Sequence, residues 1–307
     1  MSRPTMSRWG RSAYDTDEAW RAEADALAPL ARVVAPGSDA DVIVVNSKTR
    51  VDASLLERLP SVQLVVTSTS GYEHLDLGAV RAAGARAARL PLARRDAVVE
   101  ASLELMLTGV RQTARLAEDA RQDRWSRGRL PDLPIRTLRG ARVGLVGLGV
   151  IGREMARVLQ ALGAQVFGAD PRGVCDGVVE TTVLELIQTC DVVSLHAASS
   201  DTSRGMLDAP ALAAARPGLV LVNTARGDLL DVDAAYAAVA SGRLGFLGVD
   251  VFPEEPWPRL AAQARHPAVV FTPHSAGWHA GLPEAVTQGL AETIAAFRRD
   301  APLPHPL

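Results

Sequence analysis

Short apolar runs alternate with stretches of helical spacing along most of this chain. Near the N-terminal end, Asp41–Val45 (DVIVV), Leu64–Thr67 (LVVT) and Ala85–Leu90 read as strands, and Asp17–Leu30, Ala53–Leu59 and Leu77–Ala83 as helices or helical turns. A long helix is predicted from Asp96 to about Arg121, apolar on most sides through Leu107, which fits burial between domains or at a subunit contact. Gln122–Arg139 is polar, proline-bearing and aperiodic, and reads as a connecting arm. From Gly140 a regular rhythm resumes, with strands at Val143–Val146, Gln165–Ala169, Asp191–Leu195, Leu219–Asn223, Phe246–Val251 and Val269–Thr272. Helices fall at Thr182–Thr189, Ala209–Ala215, Val232–Ser241 and, after the last strand, Pro283–Arg299. Alternation of this kind predicts an α/β chain with a parallel, doubly wound sheet.

The break after the first strand of that second half is the sharpest local signal. Gly147-Leu148-Gly149-Val150-Ile151-Gly152 opens a helix that runs through Leu162, and the next strand stops at Asp170. Gly147 permits a tight turn, Gly149 lets the backbone approach a pyrophosphate, and Gly152 lets the helix pack closely on the strand. The helix N-terminus offers free N–H groups to phosphates. A carboxylate at the end of the second strand can take the ribose hydroxyls and would repel a 2′-phosphate, so Asp170 argues for NAD(H) over NADP(H).

Composition narrows the classes. At 307 residues the chain accommodates two domains, nearly half of it is hydrophobic, and the formal net charge is −2. Such a balance offers no basic patch and argues against a nucleic-acid partner. Cys175 and Cys190 match no metal-ligand spacing and no disulfide framework, so no metal is expected. The polar N-terminal stretch (SRPTMSRWGRSAYDTDEAW) carries no secretory pattern and no run is long enough to span a bilayer, so a cytoplasmic protein with no membrane contact is expected. Lys48 is the only lysine, which makes Schiff-base chemistry improbable.

In a doubly wound sheet ligands bind beyond the carboxyl ends of the strands. Three segments there carry chemistry: Asn223–Asp228, Val249–Pro256 and Thr272–Gly277. Reduction of a 2-keto acid needs a cation for the carboxylate and a proton donor for the carbonyl oxygen. Arg226 suits the first role, because a guanidinium binds both oxygens and stays charged. His274 suits the second, and Glu255 would orient its ring.

With "NTARGDLLD" (Asn223–Asp231), "VDVFPEEP" (Val249–Pro256) and "TPHSAG" (Thr272–Gly277) in order behind the glycine fingerprint, the chain resembles the D-isomer-specific 2-hydroxyacid dehydrogenase family over about Asp41–Phe297. The resemblance implies a Rossmann-type NAD domain (99–278) and a smaller flavodoxin-like substrate domain built from both chain ends (1–98 and 279–307), with a cleft between them. It implies Arg226, Glu255 and His274 as catalytic set, and Asp250 on the nicotinamide carboxamide. Cofactor contacts are expected from Gly147, Gly149, Val150, Ile151, Gly152, Asp170, Thr224, Ala225, Asp250 and His274. "TSGYEHLD" (Thr69–Asp76) resembles the substrate loop, in which the amides of Ser70 and Gly71 bind the carboxylate. A homodimer through the NAD domain and a small 2-keto or 2-hydroxy acid as substrate are further implications. A co-repressor-like NAD(H) sensor on the same fold is the alternative.

Departures from the family pattern bear on the substrate. Asn46 stands where phosphoglycerate-type members carry an arginine, although Lys48 is near. Arg94 and Arg95 are expected in the loop before the Asp96 helix, either facing a second anionic or polar group of the substrate or simply solvated. Ala198 replaces a frequent proline, predicting a less rigid loop at Ala197–Ser200. His74, His266 and His305 read as structural or solvated and His196 as filling a turn, with Trp278 and His279 as candidate walls of a substrate pocket.

Overall fold

The computed structural model describes residues 3–10 and 16–307. Part of the N-terminal stretch read as lacking a secretory pattern, residues 2 and 11–15, lies outside the described residues. The chain divides into two compact units, Met1–Arg94 with His279–Leu307, and Arg95–Trp278.

Unit 1 runs β1 (Thr5–Trp9), α1 (Asp17–Leu27), β2 (Arg32–Val33), β3 (Val42–Val45), α2 (Ala53–Glu57), β4 (Leu64–Thr67), α3 (Leu77–Ala82) and β5 (Arg86–Arg89). Its strands form one parallel sheet in the order β2-β1-β3-β4-β5. Every residue of β3 and β4 is buried, as expected for parallel strands covered on both faces. One face packs Val42, Val44, Leu64 and Val66 against Leu290 and Ile294 of the closing helix α11 (Leu282–Arg298). The other sets Ile43, Val45 and Val65 against Leu55, Leu56 and Val80.

Strand β1 escapes the apolar pattern because two of its buried residues are polar. Ser7 donates its hydroxyl to the Ala35 carbonyl at 3.0 Å, and Arg8 Nε donates to Glu23 at 2.7 Å. Both side chains are satisfied by partners far along the chain, which local spacing does not reveal.

Unit 2 contains most of α4 (Leu92–Arg111), then α5 (Thr113–Arg121), β6 (Arg142–Val146), α6 (Val150–Ala161), β7 (Gln165–Ala169), β8 (Val179–Glu180) and α7 (Val183–Thr189). It continues with β9 (Val192–Leu195), α8 (Ala209–Ala213), β10 (Leu219–Asn223), α9 (Val232–Ala240), β11 (Leu244–Val249), α10 (Leu260–Gln263) and β12 (Val269–Phe271). The seven strands are parallel in the order β12-β11-β10-β9-β6-β7-β8. Strand order reverses between β6 and β9, so their carboxyl ends frame the crevice such sheets use for ligands.

Three expectations need correction here. The predicted helix from Asp96 to Arg121 is two helices, divided at Gln112, whose φ is 55°. The buried Gln112 amide donates to the Gly109 carbonyl at 2.9 Å and holds the break. Arg94 and Arg95 lie inside α4, which starts at Leu92, rather than in a loop. Much of the apolar breadth of α4 is absorbed by unit 2 itself. Val99, Leu105, Met106 and Val110 sit in the core with Val220, Val222 and Phe246, and a Cβ on Gly109 would come within 2.7 Å of Phe246.

Candidate functional site

The glycine turn has the shape its residues suggest. Gly147 has φ 89°, and a Cβ there would lie 2.5 Å from the Ala197 nitrogen. A Cβ on Gly152 would come within 2.0 Å of the Gly147 carbonyl oxygen, so α6 meets the end of β6 with no room for a side chain. Gly149, the residue before α6, is open: the nearest atom to a Cβ there is Arg172 Nη2 at 3.7 Å. Close packing at two glycines and open space at the third is the arrangement a pyrophosphate requires. These residues therefore fit a dinucleotide.

Asp170 follows β7. Its Oδ2 accepts the Leu148 N–H at 2.7 Å and its Oδ1 accepts the Arg172 N–H at 2.9 Å. Burial works to raise this carboxyl, but hydrogen bonds from the Arg172 side chain, the Arg172 backbone and Leu148 outweigh it and hold it below the usual carboxylate range.

Three post-strand loops of unit 2 carry the catalytic candidates. Arg226 sits at the end of the β10 loop, just before a 3-10 turn at Gly227–Leu229, and its Nη1 donates to the Ala225 carbonyl at 2.6 Å. Asn223, fully buried at the end of β10, fixes this loop by accepting from Ala225 N–H and donating to the Arg226 carbonyl. Thr224 is tied to α4 through a 2.6 Å hydrogen bond between its hydroxyl and that of Ser102. Asn223 and Ser102 were not singled out from the sequence. Asn223 stands inside the motif as a polar residue ending an apolar strand, whereas Ser102 gives no local signal.

His274 adopts φ 54°, a left-handed conformation that is costly for a residue with a Cβ. Asp250 holds it there. The Asp250 carbonyl accepts the His274 N–H at 2.8 Å. Its carboxylate, 1% exposed, accepts the Thr272 hydroxyl at 2.6 Å, the Ser275 N–H at 2.8 Å and the Ala276 N–H at 3.0 Å. In this structure Asp250 thus organises the histidine loop. His274 Nδ1 lies 2.9 Å from Glu255 Oε2 and 3.1 Å from Oε1, and Oε1 also accepts the Phe252 N–H at 3.0 Å. A carboxylate on Nδ1 keeps the proton there and leaves Nε2 as the nitrogen that exchanges protons.

In unit 1 the Ser68–Gly71 loop follows β4. Arg89 Nη1 donates to the Ser70 carbonyl at 3.0 Å and the Thr69 hydroxyl to the Gly71 carbonyl at 2.8 Å. A trans peptide points its C=O and N–H in opposite directions, so anchoring the Ser70 carbonyl on Arg89 aims the Gly71 N–H away from it. Arg94 donates to the Ser68 carbonyl, and Arg95 pairs with Asp96 at 2.7 Å. His74 holds the Thr67 hydroxyl at 3.0 Å, and His279 contacts the Ala93 carbonyl at 2.9 Å. Trp278 is 44% exposed.

The loop at Ala197–Ser200 has more support than its missing proline suggests. Ser203 donates its hydroxyl to the Ala198 carbonyl at 2.8 Å and accepts the Ser200 N–H at 2.8 Å, while Ser199 donates to Asp228. His196, just before it, has its Nε2 buried with no hydrogen-bond partner among the described residues, and burial pushes the imidazole down to about 4.

The fold and the glycine turn define a two-unit α/β protein with a dinucleotide-binding domain. The family profile described as "D-isomer specific 2-hydroxyacid dehydrogenase, NAD binding domain" matches residues 103–276, and the chain belongs to this family. It is 35% identical over 257 residues to (S)-sulfolactate dehydrogenase of Chromohalobacter salexigens, covering 80% of this chain and 81% of that protein. It is 31% identical over 268 residues to D-3-phosphoglycerate dehydrogenase of Mycobacterium leprae, covering 86% of this chain and 50% of that one. The chain therefore spans about half the length of the phosphoglycerate-type relatives it matches. In fold it is similar to D-lactate dehydrogenase of Aquifex aeolicus solved with NAD and lactic acid, with TM-score 0.81, 24% identity and 96% of each chain covered. Among the described residues no helix is long and apolar enough to cross a membrane, and no group of three or more His, Cys, Asp or Glu is placed to hold a metal ion.

Proposed function

We propose that this chain is an NAD(H)-dependent reductase of 2-keto acids, forming D-2-hydroxy acids. The observation that carries the reading is the His274–Glu255 contact at 2.9 Å, on a loop held in a left-handed conformation by Asp250. Bound NAD(H) supplies the hydride-transfer chemistry. Gly147, Gly149, Val150, Ile151 and Gly152 would take its pyrophosphate at their turn, Asp170 would take the ribose hydroxyls, and Thr224, Ala225, Asp250 and His274 would hold the nicotinamide end. Arg226 binds the substrate carboxylate and polarises the adjacent carbonyl. In unit 1 the Ser70 and Gly71 amides are the substrate-carboxylate donors, with Arg94 bracing their loop through Ser68. His274 donates a proton from Nε2 to the carbonyl oxygen, and Glu255 keeps the ring oriented.

The substrate is a small 2-keto acid of the hydroxypyruvate or glyoxylate kind, or an acid of a specialised pathway. Following NADH absorbance over a panel that includes dicarboxylates and phosphorylated acids, in parallel with His274→Ala, tests this. Oxidation that the variant loses supports the reading. A folded protein that binds NADH and reduces none of the panel speaks against it and for an NAD(H) sensor. A preference for dianions that Arg94→Ala abolishes would give Arg94 a direct substrate contact.

We further propose a cytoplasmic homodimer through unit 2. Leu107, Trp125 and Leu130 on α4 and the arm are exposed, Trp125 at 88%, and support this surface as the contact. Light scattering of Trp125→Arg should report a monomer if it is right.

A further inference from the structure

Asp170, read alone, favours NAD(H): a carboxylate accepts the ribose hydroxyls and repels a 2′-phosphate. Its surroundings change that expectation. Oδ1 accepts from Arg172 N at 2.9 Å and from Arg172 Nε at 3.3 Å; Oδ2 accepts from Leu148 N at 2.7 Å and from Arg172 Nη2 at 3.4 Å. An ionised carboxylate offers about four acceptor positions, and here all are engaged. Its charge is also offset by the guanidinium.

Arg172 is 70% exposed, and its Nη2 overhangs the glycine turn, 3.7 Å from where a Cβ on Gly149 would lie. A second cation flanks the same turn. Arg153, exposed on α6, donates its Nε to the Leu148 carbonyl at 2.9 Å, while the Leu148 N–H points to Asp170. Two guanidinium groups and one carboxylate thus border the turn, leaving a net positive edge beyond β7.

We propose that this edge is a subsite for the 2′-phosphate of NADPH, with Arg172 as the residue that admits it and Arg153 as a supporting cation. The inference rests on the assignment of unit 2 as a dinucleotide-binding domain. A phosphomonoester carries about −1.5 to −2 charges at neutral pH and matches a guanidinium fork. The Arg172 guanidinium is exposed and its contacts to the buried Asp170 carboxylate are long, 3.3 and 3.4 Å, so it can turn from Asp170 to a phosphate. With NADH, the long Arg172 Nε and Nη2 contacts give way and the ribose hydroxyls take their place on Asp170. The chain then accepts both cofactors, through alternative use of one Asp–Arg pair.

The test is a binding experiment on the full chain: calorimetric titration with 2′,5′-ADP and 5′-AMP, and fluorescence titration with NADPH and NADH. The wild type should bind 2′,5′-ADP more tightly than 5′-AMP, and NADPH within about tenfold of NADH. Arg172→Ala should shift the NADPH-to-NADH ratio of dissociation constants by at least about tenfold toward NADH, and Arg172→Lys by less. A wild type that binds NADH but neither NADPH nor 2′,5′-ADP overturns the subsite and leaves the dinucleotide assignment standing. Equal weakening of both cofactors by Arg172→Ala also overturns it, since Arg172 would then serve the shared pyrophosphate. Failure to bind any of the four probes removes the subsite and the assignment together.

Discussion

Asn223 clasps Arg226: its side-chain nitrogen donates to the Arg226 carbonyl at 2.8 Å while its oxygen accepts the Ala225 N–H at 3.0 Å. One buried amide therefore closes the loop that presents the guanidinium. Removing it leaves a backbone donor and acceptor unpaired beside the β10 end, at a cost of about 1–3 kcal/mol. Asn223→Ala is expected to lower the unfolding free energy by that amount and to reduce kcat/KM for 2-keto acids by about 10- to 100-fold through a misplaced Arg226. Asn223→Asp, which keeps the acceptor but sets a carboxylate against the Arg226 carbonyl, should recover little activity. Urea unfolding and steady-state kinetics on the same samples check both; unchanged kcat/KM in Asn223→Ala would remove Asn223 from the positioning of Arg226.

The glycines of the turn should separate folding from binding. A Cβ on Gly152 would meet the Gly147 carbonyl at 2.0 Å, whereas one on Gly149 finds nothing nearer than Arg172 Nη2 at 3.7 Å. Gly152→Ala forces α6 away from β6, and a loss on the order of 2–3 kcal/mol is expected, as for overpacked cores. Gly149→Ala should change stability by less than about 1 kcal/mol, the ordinary scale of a Gly-to-Ala change. It should nonetheless weaken NADH binding at least about tenfold, because its methyl occupies the phosphate approach. Thermal melts and NADH fluorescence titrations would distinguish them, and a Gly149→Ala protein with normal NADH affinity would contradict the placement of the pyrophosphate.

Glu255 tests the histidine. Glu255→Gln keeps an oxygen near Phe252 N–H and His274 Nδ1 but removes the charge. If Glu255 orients the ring through Nδ1, kcat should fall by about 10- to 100-fold with a smaller change in KM, and less than in His274→Ala. Equal losses in the two variants would mean that Glu255 does more than hold the ring.

What was legible in the chain follows from where the information lies. β3, β4 and β10 are near-continuous apolar runs because both of their faces are covered, so the runs themselves, short and bounded by polar residues, locate them. β1 was hidden, since Ser7 and Arg8 are buried only by virtue of Ala35 and Glu23, partners that no local window contains. The break at Gln112 was hidden for a related reason: no glycine or proline marks it, and the left-handed residue is stabilised by its own side chain. At the site, Arg226, Glu255 and His274 stand in recognisable segments. Asn223, Ser102 and Arg172 act by hydrogen bonds to those segments or to Asp170, and only coordinates reveal such contacts.

His196 gives the protein a pH dependence of known sign. Its Nε2 is buried with no hydrogen-bond partner among the described residues, and burial lowers the imidazole from 6.5 to about 4. The folded state therefore holds the ring neutral where the unfolded chain protonates it. Between pH 6.5 and 4 the unfolded state binds the extra proton, so stability rises with pH across that window. The contribution is fully present above about 6.5 and is lost as pH falls toward 4. A shift of that size corresponds to at most about 3–4 kcal/mol. His266 and His305 are also lowered by burial and titrate in the same direction, so wild type alone cannot assign the slope. Their contributions cancel in a comparison with His196→Leu. Urea unfolding from pH 7 to 4.5 should show wild type losing more stability than the variant as pH falls, by up to about 1.4 kcal/mol per pH unit. Parallel curves for the two proteins would show that the His196 ring reaches solvent or a hydrogen-bond partner when protonated.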